Sequence, residues 1–162
     1  MKKLTLTLAL IGVALISAFA QVKNESAQLL ASYYGVKDAL VNGNATEAGA
    51  KATEFLTTIK TIDGKSLAEP KRKTLLELKE KLAFDAEHIS ESKDIVHQRD
   101  HFATFSANLY ALAKAIKLSA QPIYQEYCPM KKMYWLSSEQ AIKNPYYGKS
   151  MLTCGKVTDT IN

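Results

Sequence analysis

The run IVHQRDHFATFSANLYALAKAIKL, residues 95–118, decides the fold. Phe102, Phe105, Leu109, Leu112 and Ile116 recur in steps of three and four, which lines them along one stripe of an α-helix. At 1.5 Å per residue such a helix would be about 35 Å long. A helix with one apolar stripe needs partners to bury it, and the upstream chain supplies them. Leu75, Leu78, Leu82 and Ile89 form a stripe after Pro70, which suits a first helical turn because its missing N–H is not needed there. The polar stretch from Ser90 to Asp94 separates that helix from the last one. Ala48, Ala52, Phe55, Ile59 and Ile62 make another stripe, started by Asn44 or Thr46 as cap and ended near Asp63 and Gly64. Its alanines permit close approach to a neighbour. Leu29, Tyr33, Val36 and Leu40 mark the first helix, from about Ser26 to Val41, stopped by Asn42-Gly43-Asn44. Four amphipathic segments joined by short polar links predict an all-α fold, an antiparallel four-helix bundle over about residues 26–118.

The tail, residues 122–162, differs in kind. It is crowded with Tyr124, Tyr127, Tyr134, Trp135, Tyr146 and Tyr147 and broken by Pro129, Pro145 and Gly148. Its only helical stretch is Ser137 to Lys143, which Ser137 or Ser138 would cap. So many aromatic residues argue against disorder and predict an aromatic-rich loop segment packed on the bundle. At the other end, Lys2 and Lys3 precede an uncharged run from Leu4 to Phe19 that closes in Ala18-Phe19-Ala20. That is the layout of a secretory signal peptide over residues 1–20, leaving 21–162 as a single helical domain in the periplasm or otherwise exported.

Charge narrows the partners. Without residues 1–20 the chain carries 19 basic and 16 acidic residues, spread along its length. A nucleic-acid surface would instead show a basic stripe interleaved with aromatic residues. No membrane span is expected after cleavage.

Cys128 and Cys154 are the only cysteines, and Met130, Met133 and Met151 lie in the same tail. Thiolate and thioether sulfur are soft donors that favour Cu(I) over magnesium or calcium. The same two cysteines also suit a disulfide closing a loop of about 25 residues, worth roughly 3–4 kcal/mol on the chain-entropy argument. Spacing leaves both readings open. Upstream, His97 and His101 stand four apart on one helix face, and an antiparallel neighbour brings His88 towards them. No nucleophile signature accompanies the cysteines, and Glu87, Glu91 and Asp94 read as solvated helix faces, so the chain is not expected to be an enzyme.

The blocks Tyr127-Cys128-Pro129-Met130, Tyr134-Trp135-Leu136-Ser137, Ile142-Lys143-Asn144-Pro145-Tyr146-Tyr147-Gly148 and Met151-Leu152-Thr153-Cys154-Gly155 together resemble a domain of unknown function in exported proteins of Bacteroidetes. That domain occurs alone behind a signal peptide, or fused to the C-terminal end of membrane-fusion adaptors of copper and silver efflux pumps. The run His97-Gln98-Arg99-Asp100-His101-Phe102, with Phe105-Ser106 after it, is similar to a second shared block, and His88 falls where a histidine is often seen. The resemblance implies a periplasmic heavy-metal-binding protein of efflux or homeostasis, with copper the favoured ion. On this reading Cys128, Met130, Met151 and Cys154 hold Cu(I), or Ag(I), while His88, His97 and His101 are auxiliary ligands or a separate Cu(II) or Zn(II) site. A membrane-fusion efflux adaptor or another envelope protein is the expected partner. The Cys128-Pro129-Met130 opening is also similar to small heavy-metal-binding domains of copper transport proteins. It departs from them at Lys131 and Lys132, where those domains continue with His-Pro, so one nitrogen donor is missing. The rival expectation is a metal-free envelope interaction module stapled by a Cys128–Cys154 disulfide.

Overall fold

In the computed structural model the described residues are 25–162. The expected signal peptide, residues 1–20, lies outside them. Four helices follow in order: α1 over residues 25–42, α2 over Ala45–Thr61, α3 over Glu69–Glu91 and α4 over Ile95–Ala115. Each boundary has a local cause. The Asn44 side chain accepts the Glu47 amide and caps α2, and Pro70 occupies the first turn of α3. Asp94, read from sequence as merely solvated, accepts the Val96 amide and caps α4.

The four apolar stripes face one another as their periodicity predicts. Tyr33 of α1 stacks on Phe102 and tilts against Phe105 of α4, while Phe55 of α2 meets Phe105 edge-on. Phe55, Leu75, Leu82, Phe102, Phe105 and Leu109 are fully buried in this shared core. Gly49 of α2 explains the close α2–α3 packing, since a Cβ there would sit 3.1 Å from the Ser90 carbonyl. At the α3–α4 corner the buried Gln98 amide donates to three backbone carbonyls, those of Ala45, Ile89 and Ser92. One side chain thereby ties three helices together.

The tail corrects the all-α expectation. It forms a three-stranded antiparallel sheet, β1 Ile123–Cys128, β2 Met133–Ser137 and β3 Lys156–Ile161, in the order β2-β1-β3. The expected helix from Ser137 to Lys143 is absent. Ser137 instead ends β2, paired with Tyr124, and a 3-10 turn follows later at Gly148–Met151. Two devices hold the loop between them. The Asn144 side chain donates to the Cys154 carbonyl and accepts the amides of Tyr146 and Tyr147. Gly148 has φ +55°, and a Cβ there would lie 2.7 Å from the Val41 carbonyl, so the loop sits directly on the end of α1.

The sheet is part of the core and does not merely rest on it. Trp135 and Leu136 of β2 are fully buried, and Tyr146 bridges Trp135 to Phe102 of α4. The Tyr33 hydroxyl bonds Ser106 at 2.7 Å and accepts the Leu136 amide at 2.9 Å, joining α1, α4 and β2. Arg99 donates to the Pro145 and Leu40 carbonyls and clamps the tail loop to the bundle. No described helix is long and apolar enough to cross a membrane.

Candidate functional site

The chain brings its metal-type donors into two groups on different supports. The sulfur group is built by the tail. Cys128 ends β1 and is fully buried, and Cys154, half-buried, reaches it from the turn before β3. The two thiols are unbridged and close enough for Cys128 to act on the Cys154 thiol. The β1–β2 turn shapes the first of them. Lys132 takes a left-handed φ of 56° and donates its amide to the Cys128 carbonyl, while the Lys131 amide points at Cys128 Sγ at 3.5 Å. Burial, followed by the neighbouring Cys128, pushes the Cys154 thiol pKa up.

The methionines are placed less tightly. Met151 stands one turn before Cys154, whose amide donates to the Met151 carbonyl, and it is half-buried. Met130 is 63% exposed. Met133 faces Cys128 across the strand pair.

The nitrogen group lies at the α3–α4 corner. His88 and His101 stack with ring centres 4.5 Å apart, His97 meets His101 at 4.7 Å, and His88 and His97 are 6.4 Å apart. The three histidines singled out by spacing are therefore mutual neighbours. Their surroundings are Phe84 and Asp85, whereas the cysteines sit among Tyr146, Lys131 and the sheet, so two separate groups are present. Among the described residues no group of three or more His, Cys, Asp or Glu side chains stands ready to hold a metal ion as it is. The geometry gives the reason: only two cysteines meet, and two of the imidazoles meet face to face.

A model of a protein family of unknown function, DUF3347, matches residues 29–121, more than half of the chain. The chain belongs to this family. The DUF3347 match runs from α1 to the residues before β1, so it contains the histidine corner and stops short of both cysteines. No curated protein and no solved structure matches the chain significantly.

Two positioning residues escaped the sequence reading. Asp85 is buried beneath the imidazoles and accepts from His101 and Thr104. The available signal was its place three residues before His88, on the same helix face. Gln98, between His97 and the buried stripe, looked like an ordinary polar helix residue. Nothing local announces that its amide meets carbonyls from three different elements.

Proposed function

We propose that this DUF3347 protein is an exported heavy-metal-binding protein of efflux or homeostasis, with Cu(I) as the favoured ion and no catalytic role. The observation that carries this reading is the meeting of the Cys128 and Cys154 thiols, with the Lys131 amide aimed at Cys128 Sγ. Two neighbouring thiolates, Cys128 buried and Cys154 half-buried, form a soft, polarisable donor set that suits a monovalent copper or silver ion. Met151 is near enough along the chain to supply a thioether, and the exposed Met130 is available to hand an ion in or out. A membrane-fusion efflux adaptor or another envelope protein is the partner this role would require.

Binding displaces thiol protons, so affinity rises with pH across the thiol range. Competition with a chromogenic Cu(I) chelator under reducing conditions tests the site. One tightly held ion per chain is expected, lost in both Cys128→Ser and Cys154→Ser. Retention of wild-type affinity by the two variants would reject it.

The same thiol contact favours a second reading, in which the cysteines oxidise to a staple and the chain is a metal-free interaction module. Intact mass without reductant separates the two. A species two hydrogens light that takes up no metal after reduction supports the module.

A further inference from the structure

The corner between α3 and α4 carries a donor set of a different chemical class from the sulfurs. His88 Nδ1 lies 2.9 Å from the Phe84 carbonyl of its own helix. A carbonyl oxygen can only accept, so that nitrogen carries the proton and a neutral His88 presents its Nε2 lone pair outward. His101 Nδ1 lies 3.1 Å from Asp85 Oδ1. That carboxylate is almost fully buried and is itself held by Thr104 Oγ1 at 2.7 Å and Asn108 Nδ2 at 3.5 Å. An ionised carboxylate also only accepts, so His101 is set in the same tautomer with Nε2 free. His97 is exposed, and among the described residues no hydrogen bond holds its ring in either tautomer.

We infer that His88, His97 and His101 form a second metal site, for a borderline divalent ion such as Cu(II) or Zn(II), with Asp85 as the positioning residue that orients His101. The pattern of a ligand imidazole whose second nitrogen donates to a carboxylate or carbonyl is how proteins fix metal-binding histidines. Distance permits it. Two imidazoles sharing an ion about 2 Å from each nitrogen have ring centres roughly 5 Å apart. The 4.5 and 4.7 Å separations already match, and the 6.4 Å separation closes by turning the exposed His97 side chain. The face-to-face arrangement of His88 and His101 is a metal-free packing that side-chain torsion converts to convergence, with the helices in place. Phe84, 55% exposed and 4.1 Å from the His88 ring, forms an apolar wall on one side that lowers the local dielectric. Nitrogen donors place this site apart from the thiol pair, and its existence does not depend on Cu(I) binding there.

The test uses the full chain carrying Cys128→Ser and Cys154→Ser, titrated with Cu(II) at neutral pH and read by electron paramagnetic resonance. One bound equivalent with nitrogen hyperfine structure is expected. His97→Ala, at an exposed position outside the buried core, should weaken binding at least tenfold. Asp85→Asn, which removes the carboxylate but keeps the shape, should weaken it roughly 10- to 100-fold. Circular dichroism confirms that each variant is folded. Unchanged affinity in His97→Ala, or a spectrum without nitrogen coupling, overturns the inference. Loss of Cu(I) binding in the same cysteine variants with Cu(II) binding retained separates this site from the sulfur site.

Discussion

Both carboxylate oxygens of Glu126 are buried without a hydrogen-bond partner among the described residues, and burial pushes its pKa from the usual 4.5 up to about 7. The nearby Lys37 pulls in the opposite direction without cancelling this. Trp135 Nε1 faces the acid across the strand pair and lowers its pKa slightly, but at a geometry too loose to count as a hydrogen bond. The folded protein therefore holds a proton that the unfolded chain releases. Because the folded pKa lies above the unfolded one, the residue's contribution is fully present below about pH 4.5 and lost as pH rises to about 7. Glu126→Gln should match the wild type at pH 4 and exceed it by roughly 2–3 kcal/mol at pH 8. Urea denaturation of both proteins across that range measures the difference. A gap that stays constant with pH would show that the acid is solvated.

At the scale of elements, helices were legible and strands were not. The stripe from Phe102 to Ile116 and the cap at Asn44 announce helices through a 3.6-residue period and a polar punctuation mark, both local properties. Asn44→Ala removes the bond to the Glu47 amide and should cost about 1 kcal/mol, seen as a fall of a few degrees in melting temperature. The strands lack any such signal. β1 shows no clean alternation: Ile123, Glu126 and Cys128 are buried at uneven steps of three and two, and its register against β3 shifts between Gln125 and Glu126. β3 is an edge strand, largely exposed and charged, so its sequence looks like surface loop. The histidine corner was readable because two of its members share a helix face and the third sits across a short link. The meeting of Cys128 with Cys154 depends on a sheet register that spacing does not encode.

On the whole-molecule scale, the matched family segment ends before the sheet, yet the core does not. Ile123, Trp135, Leu136 and Tyr146 belong to the same buried cluster as the helices, and the Tyr33 hydroxyl is half satisfied by the Leu136 amide. A chain ending at residue 121 would expose the faces of α1 and α4 that these residues cover. Burial of a large apolar side chain contributes roughly 1.5–3 kcal/mol, and a domain has only about 5–15 to lose. The shortened chain should therefore show no cooperative thermal transition by circular dichroism. A sharp transition near that of the full chain would mean that the helices stand alone and the sheet is an appendage.

Gln98 pins the carbonyls of Ala45, Ile89 and Ser92 at the corner where the imidazoles gather. The backbone beneath them has little freedom left to surrender, so an ion bound there as proposed would have only ring rotations to settle. Those are rotamer hops on the picosecond-to-nanosecond scale, far faster than the ordering of a loop. Capture and release of such an ion would then need no helix to open.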